Sequence, residues 1–77
     1  MAVRAKFLMK KDVSMKIELT LAKMGLTKRQ FAQNIGVSHS YFIRVLRGKT
    51  KAGTLVATKI ASGLKKDVDE IFLITVD

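Results

Sequence analysis

Residues 26–49 read LTKRQFAQNIGVSHSYFIRVLRGK and carry the strongest local signals in the 77-residue chain. Thr27 and Gln30 have the spacing of a capping box, in which each side chain satisfies a free amide at the start of a helix. Apolar residues then recur at helical spacing and give this helix one apolar face: Phe31, Ala32 and Ile35. Gly36 is expected to end the helix, because glycine adopts the left-handed conformation without strain.

A second short helix is predicted directly after this glycine. Val37 is expected to be a buried plug in the turn, and Ser38 has the chemistry of a second N-cap. The apolar residues of the second helix are Tyr41, Phe42, Val45 and Leu46. Gly48 is expected to end it. Two capped helices joined by a glycine turn predict a helix-turn-helix.

These residues resemble the lambda repressor and Cro type of helix-turn-helix proteins. In that family, a segment of the form LTQxxLAxxxGVSxxxIxRxxxG carries the motif, and the chain matches nearly every apolar, glycine and capping position. The later stretch KIASGLKKDVDEIF resembles the fourth and fifth helices of the family. The resemblance covers about residues 15–72 and leaves residues 1–13 and 73–77 unassigned. It implies an all-α, compact domain of four to five helices that binds DNA without a cofactor.

The remaining helices are predicted from caps and apolar spacing. Ser14 is expected to cap a first helix over residues 15–24, which Gly25 ends. Its inward-facing residues are Ile17, Leu21 and Met24. A fourth helix is expected over residues 54–63, with the apolar set Leu55, Ala57, Ile60, Ala61 and Leu64. Asp67 and Glu70 form a second capping-box pair that opens a short fifth helix.

The two ends of the chain carry β-type patterns. Residues 2–10 alternate, with one side formed by Val3, Ala5, Phe7 and Met9, and the last residues read IFLITVD. Period two and β-branched residues favour short terminal strands. The strands could pair beside the helices or across a dimer. A helix over residues 2–11 is the alternative for the first segment.

Composition and charge indicate one small, basic domain over residues 1–77. Fifteen Lys and Arg against six Asp and Glu give a net charge of +9, and no acid occurs between Glu18 and Asp67. A positive body with an acidic tail is typical of a polyanion-binding protein, although a basic surface can also serve only solubility. The start of the chain lacks the pattern of a signal peptide, and we expect a cytoplasmic, nucleoid-associated protein.

An enzyme is not indicated by these residues. The chain has one His and no Cys, and most of its carboxylates lie in the last eleven residues. No paired acids, metal cluster or nucleophile–base set can be assembled from nearby positions. The glycines do not form a phosphate-binding loop of the Walker type. No apolar stretch approaches the roughly 20 residues needed to span a bilayer.

The resemblance implies which residues read the DNA. The base-reading positions of the family fall on His39, Ser40 and Arg44, and Ile43 is expected to pack on thymine methyl groups. Contacts to the DNA backbone are expected from Lys28, Ser38, Tyr41, Arg47, Lys49 and Lys51. Each of these has a simpler interpretation. His39 and the lysines can be solvated surface residues, and Tyr41 can be part of the core.

Several apolar residues are expected on the surface, where they usually mark an interface. These are Leu46, Ile71, Phe72, Ile74 and Val76. The leading hypothesis is a sequence-specific regulator of transcription that binds a two-fold operator as a homodimer, as small phage Cro-like repressors do. The alternative is a protein-interaction module of the same fold, such as an antitoxin or a modulator of repression, whose partner is a toxin or a repressor. Apolar Ile43 and Leu46 beside the recognition surface favour the alternative, and the positive charge favours DNA.

Overall fold

The computed structural model describes residues 5–76. Five helices lie between two terminal strands, in the order β1 (Ala5–Met9), α1 (Val13–Lys23), α2 (Lys28–Ile35), α3 (His39–Leu46), α4 (Thr54–Leu64), α5 (Val68–Ile71) and β2 (Phe72–Val76). The expected small helical domain with short terminal strands is confirmed. Val3, which belongs to the predicted alternating face, lies outside the described residues.

The two strands form an antiparallel ribbon within one chain. Phe7 lies opposite Ile74, and Met9 lies opposite Phe72. The alternation places Phe7 and Met9 in the core, as predicted, while Lys6 faces solvent. A helix at the start of the chain was the wrong alternative. The second edge of β1 is also occupied, because Phe7 and Ala52 exchange backbone hydrogen bonds of 2.9 and 2.8 Å.

Helix α1 begins earlier than predicted. Its first residue is Val13 and its N-cap position is Asp12, which makes no side-chain capping hydrogen bond. Ser14 is therefore inside the helix, and the predicted Ser14 cap is wrong. Met24 was also assigned wrongly to the inner face: it follows the last helical residue and is exposed, because the chain turns away at Gly25.

The caps of α2 and α3 are as predicted. Thr27 Oγ1 accepts from the Gln30 amide at 3.0 Å, and Gln30 Oε1 accepts from the Thr27 amide at 2.9 Å. Gly36 is left-handed at φ 75°, and the Val37 amide donates to the Ala32 carbonyl at 2.9 Å. These bonds satisfy the free groups at both ends of α2 and set the turn into α3.

Helix α4 continues through Gly63, its expected last residue, and includes Leu64. It ends at Lys65, which adopts a left-handed conformation at φ 58°. Four of its predicted inner residues are buried, but Leu55 is exposed, because it lies on the outer face of the helix with Thr58 and Ser62. In α5, Glu70 Oε1 accepts from the Asp67 amide at 3.2 Å, which is the returning bond of the predicted capping box.

The core lies between the helices and the inner face of the ribbon. Phe31 of α2 and Phe42 of α3 have ring centroids 5.4 Å apart. Phe7 and Phe72 meet edge to face at 6.0 Å, which joins the ribbon to the same core. The Phe31–Phe42 pair fixes α3 against α2 from inside, so the outer side of α3 remains available to a ligand.

Candidate nucleic-acid interface

Helix α3 has one buried face and one outward face. Phe42, Val45 and Leu46 are buried. Ser40 and Arg44 are exposed, and Ile43 is half-buried. Positions 40, 43, 44 and 47 are separated by three, four and seven residues, so they share the outward face. The structure thus brings together three of the four residues predicted to read bases and adds Arg47 beside them.

His39, the fourth predicted base-reading residue, is the first residue of α3 and is half-buried. It lies at the helix end rather than at the middle of the outward face. Ser38 precedes it as N-cap, and its Oγ accepts a hydrogen bond from the Tyr41 amide at 3.3 Å. The Ser38 oxygen therefore holds the helix start, whatever its hydroxyl proton contacts.

Tyr41 combines the two interpretations given to it. Its side chain is half-buried and packs against the core, so part of the ring has a structural role. Part of the side chain is exposed, and its contact to a DNA phosphate stays a prediction.

The segment after α3 is basic and attached to the ribbon. Arg47, Lys49 and Lys51 are exposed. The Lys49 amide donates to the Arg44 carbonyl at 2.9 Å, which fixes the start of the segment on α3. Ala52, bonded to Phe7 of β1, fixes its end. Sequence reasoning missed Ala52, since a single alanine in a loop has no pattern that predicts strand pairing.

Lys28 at the start of α2 is already paired. Its Nζ lies 2.5 Å from Glu18 Oε1 of α1, and both side chains are partly exposed. A phosphate at the start of α2 would therefore compete with the Glu18 carboxylate for this ammonium group. Lys28 is therefore a weaker candidate for a contact to the DNA backbone than its position alone indicates.

Lys59 of α4 was not predicted to have any role in the motif. Its Nζ lies 3.8 Å from the position that a Cβ on Gly36 would occupy, next to the end of α2. A cation is favoured there, because the last carbonyls of a helix carry partial negative charge. Lys59 therefore brings positive charge close to the end of α2.

The predicted apolar interface needs a correction. Leu46 is only 3% exposed, and Ile71 and Phe72 are buried as well. We expected these three on the surface, and that was wrong: Leu46 faces the domain core, and the end of α5 and the start of β2 close it. Ile74 and Val76 are exposed as expected, at 48% and 63%. Leu73, which was not predicted, is also exposed.

Within residues 5–76, no group of three or more His, Asp and Glu side chains is placed to hold a metal ion. No helix in the same range is long and apolar enough to cross a membrane.

Two short capped helices, an outward face with serine and arginine, and a basic segment after it define a helix-turn-helix DNA-binding regulator. The chain matches a family model described as Helix-turn-helix over residues 17–71. It belongs to this family, which is the lambda repressor/Cro type of helix-turn-helix protein. No curated protein and no solved structure in the comparisons matches the chain.

Proposed function

We propose that this protein is a sequence-specific regulator of transcription that binds a two-fold operator in double-stranded DNA as a homodimer. The observation that supports it best is the outward face of α3. Ser40 and Arg44 are exposed one helical turn apart, on a helix held by the buried Phe42 and Val45. Proteins with this motif place the outward face of the second helix in the major groove.

The residues on this face have different capacities to discriminate bases. Arg44 can donate two parallel hydrogen bonds to guanine O6 and N7, which is worth roughly 1–3 kcal/mol against a wrong base. Ser40 can donate or accept and therefore discriminates weakly. Ile43 offers an apolar contact to a thymine methyl group. His39, at the start of the helix, can donate to guanine N7 or to a phosphate.

The exposed cations after α3 suit contacts to the DNA backbone. Arg47, Lys49 and Lys51 follow one another on a segment fixed at both ends, by α3 and by Ala52. Such contacts position the protein without reading sequence, and each adds about one released counterion to the salt dependence.

The homodimer is proposed from the free edge of β2. Within the described residues, β2 pairs with β1 alone, whereas the second edge of β1 bonds to Ala52. The strand carries no charge, and Leu73, Ile74 and Val76 are exposed on it. Proteins usually protect such an edge with lysine, proline or a covering loop. Antiparallel pairing of two β2 strands about a two-fold axis would cover it and give the symmetry of an operator.

The proposal is tested by selecting DNA from a random-sequence pool with the purified protein at two salt concentrations. We expect a palindromic motif with half-sites about one helical turn, roughly 34 Å, apart. Arg44→Ala should relax the preference at one base pair in each half-site. Lys49→Ala and Lys51→Ala should weaken all sequences alike and reduce the salt slope by about 1 each. Weak binding without sequence preference would contradict the proposal.

A protein-interaction module is less well supported than it was from the sequence. One of its two supporting residues, Leu46, is buried and does not contribute to the recognition surface. Ile43 alone remains there and is half-buried beside Arg44. If the DNA selection yields no motif, the protein should next be used as bait for a repressor or toxin.

A further inference from the structure

Helix α1 is apolar on two opposite faces, and the fold uses one of them. Ile17 and Leu21 are buried in the core. Met15 and Leu19 lie one turn apart on the opposite face and are 70% and 58% exposed. A surface helix of a globular domain normally carries polar residues on that face. The second apolar stripe therefore requires an explanation outside the fold of the single chain.

A groove runs beside this stripe, between α1 and α5. Its volume is about 350 Å³, and Leu19 forms one wall. The half-buried Val13 lies at its bottom, above the buried side chains of Ile17 and Ile71. The Thr20 hydroxyl, which also lines the groove, donates to the Lys16 carbonyl at 2.8 Å, so this polar group is already satisfied. The groove therefore offers Leu19 and Val13 as apolar contacts, with room for side chains of a partner.

The rim of the groove is positive. Lys16 and Lys23 line it from α1, Lys66 lines it from beyond α4, and Glu70 is the one acid among the lining residues. Lys28 and Glu18 form the only ion pair among residues 5–76. Within this range, the three lysines at the rim therefore have no carboxylate bound to them. Exposed apolar side chains beside three ammonium groups are complementary to a segment with apolar residues on one face and carboxylates beside them.

We propose that the groove between α1 and α5 binds an acidic amphipathic segment of another protein. The apolar side chains of the segment would lie on Leu19 and Val13, and its carboxylates would face Lys16, Lys23 and Lys66. None of the residues assigned to DNA lines this groove. A partner held here would therefore leave the outward face of α3 free. The proposal for this groove does not rest on the proposed operator or on the homodimer.

The test is a selection of displayed random 12-residue peptides on the purified full-length protein. We expect enriched peptides to combine apolar residues at helical spacing with several Asp or Glu. Chemical-shift changes on ¹⁵N-labelled protein should fall on α1 and α5. Lys23→Glu combined with Lys66→Glu should lower the affinity for the selected peptide at least tenfold, and Leu19→Asp should lower it by a similar factor.

Two controls separate this groove from general attraction to a basic protein. Lys49→Glu combined with Lys51→Glu makes the same change in net charge away from the groove, and should alter peptide affinity less than threefold. Circular dichroism melts should show that all variants remain folded. The proposal fails if no peptide is enriched, if enriched peptides lack acids, or if they bind at α3. It also fails if Leu19→Asp separates a dimer into monomers, since the face would then join two copies of this chain.

Discussion

At the scale of single residues, Lys65 is the position where conformation and residue type disagree. Among the described residues, it is the only non-glycine residue with positive φ, which is 58°. It ends α4 as Gly36 ends α2. The Lys66 amide donates to the Ala61 carbonyl at 3.0 Å, which is the same closing bond that Val37 makes after α2. A side chain in this conformation costs about 1 kcal/mol, and glycine avoids that cost.

We expect Lys65→Gly to raise the free energy of unfolding by about 0.5–1 kcal/mol, because relief of the left-handed strain exceeds the added entropy of the unfolded glycine. Urea denaturation followed by circular dichroism measures the change. Lys65→Ala is the matched control, since it removes the charge and keeps the Cβ. If Lys65→Gly is no more stable than Lys65→Ala, strain at this position does not limit stability.

Gly63 has a different role from the glycines that end helices. It lies inside α4, and a Cβ there would be 2.9 Å from two ring carbons of Phe31 and 3.0 Å from Ile35 Cγ2. Its small size therefore permits the close approach of α4 to α2. The sequence pattern predicted a helix end at this glycine, because pattern alone does not distinguish a glycine needed for φ from one needed for space.

Gly63→Ala should destabilise the protein by about 1–3 kcal/mol, although alanine is the better helix former by roughly 1 kcal/mol. The Phe31 ring cannot move away freely, since it packs on Phe42 inside the core. A thermal or urea melt decides the sign. Ser62→Ala, on the exposed neighbouring position, should change stability by less than about 0.5 kcal/mol. A neutral or stabilising Gly63→Ala would show that the contact relaxes easily.

At the scale of elements, a carboxylate from α1 lies at the start of α2. The Glu18 carboxylate pairs with Lys28 and brings negative charge to a helix start that would otherwise attract phosphate. We expect Glu18→Gln to tighten DNA binding about two- to fivefold at low salt, because it frees one cation and removes one repulsive charge. Fluorescence anisotropy with a labelled duplex measures this.

The control for this prediction is the double variant Glu18→Gln with Lys28→Ala, which should lose the gain. Glu70→Gln changes net charge equally but lies in α5, and should have a smaller effect on DNA affinity. Equal gains from Glu18→Gln and Glu70→Gln would mean that net charge, rather than the release of Lys28, accounts for the result.

Elements with complete local signals were predicted correctly from the sequence. The caps Thr27 and Ser38 and the stop at Gly36 are satisfied by residues within a few positions, so α2 and α3 follow from neighbouring residues alone. The alternation in residues 5–9 likewise predicted β1 and its buried face.

The errors at Leu46, Ile71 and Phe72 fall where long-range packing decides, whereas the error at Ser14 is local. Ser14 has the chemistry of a cap, but the Lys10 carbonyl accepts from the Val13 amide and α1 begins before Ser14. Leu46, Ile71 and Phe72 were expected on the surface because the family pattern and the long apolar tail indicated it. The ribbon brings β1 and the end of α5 together, and the three side chains are buried. No local sequence pattern predicts this burial.

At the scale of the whole molecule, the basic surface is separate from the edge of β2. Arg44, Arg47, Lys49 and Lys51 lie on α3 and the segment after it, three further lysines line the groove between α1 and α5, and β2 carries no charge. A single chain of this kind presents one face that we propose to bind DNA and one uncharged strand edge. Two copies joined at β2 would place two α3 helices on one operator, so dimerisation and DNA affinity should be linked.

That link gives the last prediction. Val76 is 63% exposed at the free edge, and lysine at an edge strand opposes pairing of two edges. We expect wild-type protein to be dimeric by size-exclusion chromatography with light scattering, and Val76→Lys to be monomeric with an unchanged melt. Val76→Lys should keep its affinity for a single half-site and lose at least about tenfold on the full operator, because two linked half-sites bind with a raised effective concentration. Leu55→Lys, an equally exposed apolar position on α4, is the control and should remain dimeric. A Val76→Lys protein that stays dimeric would exclude the β2 edge as the interface, and a monomeric wild type that binds the full operator no tighter than a half-site would exclude the dimer itself.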